Sequence, residues 1–215
     1  MAVTHQILAR ASGAMALAPR SLARYVTVYA QHIKDDPWVL PDGSTTNLVL
    51  VRSPVPASLA NSDDYEEASV TNTSSTLVID ARFFLAENPF QDWVVGGLAR
   101  VVCRVGARGD GTYATYIDRI ITDIETVDSA GTYTTLASKD RSLSTALSNS
   151  STSWETWDWL ALMSLDRQTI SMDDQIVLRI RIYAYMASGG TDQAVRLYHT
   201  RGSQDTYVDI PLDEI

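Results

Sequence analysis

Hydrophobic and polar positions alternate most regularly near the end of the chain, where Ile176, Leu178, Ile180 and Ile182 interleave with Val177, Arg179, Arg181 and Tyr183. A period of two puts the first four on one side of an extended chain, whereas a helix would scatter them around its circumference. Residues 188–192 (Ser-Gly-Gly-Thr-Asp) supply a turn, and Val195 and Leu197 then alternate with Arg196 and Tyr198. Arg201-Gly202-Ser203 turns again, before Val208, Ile210 and Leu212 alternate with Tyr207 and Asp209. The pattern predicts an antiparallel meander over 174–212, three strands in series, with one apolar face and one face of Arg and Tyr.

Shorter runs carry the same grammar. Residues 25–29 and 47–51 read as strands around the turn Pro41-Asp42-Gly43-Ser44, followed by further strands at 77–85 and 98–105. Over 113–127, Ile117, Ile120, Ile121 and Ile124 would also suit a helix, but the turn at 128–131 and the returning run 132–136 favour a hairpin. The polar stretch 54–75 reads as a long surface loop and 148–153 as an exposed one. Residues 5–18 place Ile7, Ala11, Ala14 and Met15 on one helical face, which Pro19 ends. The expected organisation is a short helix or arm over 1–22 and an all-β domain over 23–215, an antiparallel β-sandwich of jelly-roll type.

Charge narrows the partners. Residues 1–60 carry five basic and three acidic side chains, and the rest twelve basic and twenty-three acidic, so the body is strongly negative. Such a surface repels phosphate backbones and anionic lipid, which argues against nucleic acid and membrane partners. No apolar run reaches the roughly 18 residues that span a bilayer, and Arg10 and Arg20 bracket a stretch too short for a secretory core. The expectation is therefore a chain folded in a cytosol without a signal peptide. The single Cys103, inside an apolar run, reads as a buried small hydrophobe.

Chemistry is sparse by motif. His5, His32 and His199 are dispersed, with no second histidine or cysteine at ligand spacing, so no metal site and no cofactor are expected. There is no Gly-x-Ser-x-Gly elbow, so no catalytic residue is assigned and His199 reads as structural. Asp63-Asp64, Glu66-Glu67 and Asp173-Asp174 read as a solvated acidic loop and a turn before a strand, since none forms a calcium-hand loop. Arg108-Gly109-Asp110 reads as part of a hairpin loop. Trp154, Trp157 and Trp159 are the candidate glycan-binding residues, because Trp157 and Trp159 share a face in a strand; packing against a core or a subunit explains them as well.

The polar face of the meander is the candidate interface: Arg179, Arg181, Tyr183 and Tyr185, joined by Arg196 and Tyr198 from the next strand if the register allows. The unsignalled arm, the Thr/Ser-rich strands, the run from Trp157 to Leu162 and the ending from Tyr198 to Leu212 resemble jelly-roll virion structural proteins of tailed viruses of bacteria or archaea. The resemblance implies a non-enzymatic capsid decoration, turret, neck, tail or baseplate component. Its partners would be itself, as a homo-oligomer, and other virion proteins, with localisation in the virion. A carbohydrate- or host-receptor-binding sandwich that takes a host-surface glycan is the alternative.

Overall fold

The structure, a computed structural model, describes residues 24–33, 37–40, 42–52, 65–86, 92–199 and 206–212. It contains thirteen strands in chain order: β1 (Arg24–His32), β2 (Trp38–Val39), β3 (Thr45–Thr46), β4 (Leu48–Val51), β5 (Tyr65–Ser69), β6 (Thr76–Leu85) and β7 (Trp93–Arg108). Then follow β8 (Thr115–Val127), β9 (Tyr133–Asn149), β10 (Glu155–Ile170), β11 (Gln175–Met186), β12 (Ala194–Tyr198) and β13 (Tyr207–Leu212). The all-β sandwich is as expected, and no helix occurs among the described residues. The N-terminal segment expected as a helix or arm lies outside them.

Eleven strands join in the order β5-β12-β7-β13-β1-β4-β6-β11-β8-β9, with β10 on the other edge of β7 and β2–β3 as a separate hairpin. All pairings are antiparallel except the short β4–β6 contact. The ribbon folds back on itself. The Thr122 hydroxyl of β8 donates to Met163 Sδ of β10 at 3.9 Å, and Arg141 of β9 lies 5.3 Å from the Trp159 ring of β10. One apolar cluster fills the space between the halves, with Phe83, Val101, Ile120, Ile180, Leu197 and Ile210 all essentially inaccessible.

The β8–β9 hairpin forms as expected, and Ile117, Ile120 and Ile124 are buried on its inner face. The alternation in β11 is equally faithful, with Ile176, Leu178, Ile180 and Ile182 buried. The meander is a different matter, because the three strands exist and none pairs with another. β11 lies between β6 and β8, β12 between β5 and β7, and β13 between β1 and β7. Alternation sets which face is buried but not which edge is paired.

β7 explains the rearrangement. Its sixteen residues outlast the short β12 and β13, so β12 takes residues 104–108 and β13 takes 95–102 on one edge, while β10, equally long, runs along the other. Arg108 ends this strand, so Arg108-Gly109-Asp110 straddles a strand end. Close packing requires glycine at the kink: a Cβ on Gly96 would meet the Arg167 backbone at 3.0 Å, and Gly97 holds φ at +119°. The register of β10 on β7 slips at this place, between Leu165 and Gln168. Cys103 sits fully buried in β7, where desolvation raises its thiol pKa and keeps it inert.

Ile180 is 0% exposed at the middle of β11. Ile180→Ala is expected to cost about 2–5 kcal/mol in urea unfolding, and a loss below about 1 kcal/mol would contradict this account of the core.

Candidate metal centre

The polar stretch read as a loop contains a strand. Tyr65–Ser69 forms β5 and pairs with β12, Glu66 opposite Leu197 and Glu67 opposite Arg196. The pairing brings Glu66 beside His199, which follows the last residue of β12, and beside His32, the last residue of β1. The histidines expected to be dispersed therefore converge, with ring centroids 5.7 Å apart at 60°. His5 lies outside the described residues.

His32 Nδ1 stands 3.3 Å from Glu66 Oε1, and His199 Nε2 stands 3.5 Å from the same oxygen. The three ligand atoms all fall within 4.8 Å of one another. Bonds of about 2.0–2.2 Å to a tetrahedral zinc-class ion separate neighbouring ligand atoms by about 3.3–3.5 Å, so two of the three spacings already match. His199 is 1% exposed, and Phe83 walls it at 6.3 Å between ring centroids. His32 and Glu66 are partly accessible, and a cavity of about 190 Å³ lined by Leu48, Glu66, Ala68, Val78 and Asp80 opens beside the carboxylate. At 3.5 Å the Nε2 contact is too long for a well-formed hydrogen bond, and Nε2 has no other partner among the described residues. The imidazole is still near enough to hold the Glu66 carboxyl below the usual carboxylate range, against the opposing effect of burial. With neutral imidazoles both facing nitrogens would carry their protons toward Glu66. Metal binding would need them as lone pairs, with each proton moved to the other ring nitrogen.

The Arg and Tyr side chains expected to seek a partner find one inside the chain. Arg179 makes two hydrogen bonds to Asp80 at 2.7 and 2.6 Å and reaches Glu125 at 3.8 Å, and Arg181 binds Asp123 at 2.6 Å. Asp123 and Glu125 are 2% and 3% exposed, so these arginines neutralise carboxylates buried on β8. Tyr185 stacks on Tyr116 at 4.8 Å and Tyr183 receives Arg119 at 5.0 Å. Arg196 and Tyr198 lie elsewhere, on β12: Arg196 is held by Glu67 at 2.7 Å between the rings of Tyr65 and Trp154, and Tyr198 meets Tyr65 edge-on. The single contact face drawn from the meander is thus two separate clusters. The three tryptophans sit in different surroundings. Trp159 is 6% exposed in the core, Trp157 packs against it, and Trp154 is taken up by Arg108 and Arg196.

No family model matches the sequence, and no curated protein matches it. Among solved structures, the chain is similar to a CocE/NonD family hydrolase from Staphylococcus aureus at TM-score 0.57 and 11% identity, over 91% of this chain and 38% of that one. An alpha-amino acid ester hydrolase matches at TM-score 0.54 and 10% identity, over 86% and 36%. An aminopeptidase from a marine sediment Thaumarchaeota archaeon matches at 0.53 and 10%, over 91% and 38%. The likeness is one of fold. The chain spans under two-fifths of the length of each of these proteins.

Against the expectation of a non-enzymatic virion structural protein or a glycan- or receptor-binding module, the solved structures that share this fold are those of hydrolytic enzymes. Infectious bursal disease virus structures align over 94% of the chain at a TM-score of only 0.30, which carries no argument.

Two outcomes test the electrostatics. Arg181→Leu leaves Asp123 buried without its cation and is expected to cost about 3–5 kcal/mol in denaturant unfolding; a near-neutral result would contradict the pairing. The depressed Glu66 pKa means that its contribution to stability is complete above the ordinary value of 4.5 and is lost as pH falls below it through the folded value. His199→Ala should raise the Glu66 pKa in an NMR titration, and an unchanged value would sever the link.

Proposed function

We propose that the protein binds a divalent zinc-class metal ion through His32, Glu66 and His199, and that this centre is hydrolytic. The observation that carries the reading is the convergence of two imidazole nitrogens and one carboxylate oxygen, from β1, β5 and the residue after β12, within 4.8 Å. Four protein ligands close a structural zinc site, whereas three, with room for water, form the set used in catalytic ones. His32 and Glu66 are partly accessible, which leaves a side of the set open to water.

When bound, the ion would supply Lewis acidity and a water acidic enough to yield hydroxide near neutral pH. The chain's own residues do the positioning. His199, buried against Phe83, fixes one ligand direction; β5 sets Glu66 through its register with β12; and His32 closes the set from β1. The fold likeness to hydrolases supports the reaction class, and two of them, an alpha-amino acid ester hydrolase and an aminopeptidase, suggest amino acid esters and aminoacyl amides as the first substrates to try.

Zn²⁺ added to chelator-treated protein should bind one to one by calorimetry. It should stabilise the fold by about 2.7 kcal/mol at a hundredfold excess over Kd, reversibly with chelator. Glu66→Ala, at a partly accessible position, should weaken binding at least tenfold while the apo protein keeps its fold. Absence of binding, or equal binding by this variant, would refute the centre. Metal bound without turnover of the ester and amide panel would remove the hydrolytic half alone.

A further inference from the structure

A second recess lies away from the histidines, between the β2–β3 hairpin and the turns that follow β8 and β10. It measures about 470 Å³, within the usual range for small-ligand sites, and is lined by Trp38, Leu40, Ser129, Met172, Asp173 and Gln175. Beneath it is an apolar cluster separate from the main core, Leu40, Phe84, Val127 and Val177, with Trp38 packed against it.

Two of the lining residues carry a buried polar atom with no hydrogen-bond partner among the described residues: the Trp38 indole Nε1, a donor, and Gln175 Oε1, an acceptor. Gln175 is only 2% exposed, and its Nε2 donates to the Leu85 carbonyl at 2.7 Å. That bond fixes the amide and leaves the oxygen as the open group. Unsatisfied buried groups are costly, so a molecule offering one acceptor and one donor would bind with advantage. A third lining group adds charge. The exposed Asp173 carboxylate makes no ion pair among the described residues, and the acidic neighbours Asp92 and Asp128 are occupied with backbone N–H groups of Met172, Ala130 and Thr132.

We propose that this recess binds the free amino terminus of a peptide or aminoacyl amide with an apolar first residue. The ammonium would meet Asp173, the apolar side chain would lie on Trp38, Leu40 and Met172, and the first amide would offer its carbonyl to Trp38 Nε1 and an N–H to Gln175 Oε1. An apolar body, a cation and an amide in succession match this lining. A phosphate or carboxylate ligand would be repelled by Asp173.

The test uses the full chain in chelator, so the outcome is independent of the metal centre. The indole N–H resonance of Trp38, identified by its absence in Trp38→Phe, is followed by NMR during titration with leucinamide. Saturable movement is expected, about fivefold weaker with N-acetyl-leucinamide and similarly weaker for Asp173→Asn, whose exposed position leaves the unfolding midpoint unchanged. A Trp38 resonance indifferent to leucinamide would overturn the proposal, as would equal affinity for the acetylated probe or for the asparagine variant.

Discussion

Strand β7 has sixteen residues and needs hydrogen-bond partners along both edges. Its inward row, Val95, Ala99, Val101, Cys103, Val105 and Ala107, is fully buried, so neither edge can be left to water over that length. β10 covers one edge. On the other edge β12 and β13 share the length, and the strands they pair with on their far sides, β5 and β1, are thereby placed in space. The ends of β12, β5 and β1 supply His199, Glu66 and His32. The convergence of these three side chains is thus a consequence of how one long strand satisfies its backbone.

The outer face of the second half is organised by the carboxylates of β8. Burial of Asp123 and Glu125 would be prohibitive without cations, and Arg181, Arg179 and Arg82 provide them from β11 and β6. Ser138 adds a hydroxyl to Asp123 at 2.5 Å. The preference for arginine over lysine has a physical use here: Arg179 grips Asp80 through two nitrogens while reaching Glu125 with a third, which a single ammonium could not do. An Arg-rich strand face therefore need not advertise a binding surface when its neighbours bury acids.

The hairpin β2–β3 stands outside the main sheet and roofs its own small apolar cluster. Its attachment over the ends of the larger sheet leaves a recess instead of a continuous core. The two unpaired polar atoms of Trp38 and Gln175 belong to residues that line this recess, and the His32–Glu66–His199 cluster lies at a different place, where strand ends converge.

The period-two alternation of Ile176, Leu178, Ile180 and Ile182 by itself determined that β11 is a strand and which side of it is buried. For the β8–β9 hairpin the deciding signal was the turn at 128–131 with the returning run after it, because the spacing of Ile117, Ile120 and Ile124 also suits a helix. These are local consequences of backbone geometry and side-chain hydrophobicity, and they survive any rearrangement of neighbours. Pairing partners do not follow from alternation, so a run of three strands in sequence became three strands in three different places. β5 was hidden for a related reason: Tyr65, Glu66, Glu67, Ala68 and Ser69 have little apolar content, and the strand is held by its pairing with β12. Only the tertiary structure could bring His32, Glu66 and His199 together, because residues far apart in the chain become neighbours through the edges of strands, and strand edges leave no periodic mark in a sequence.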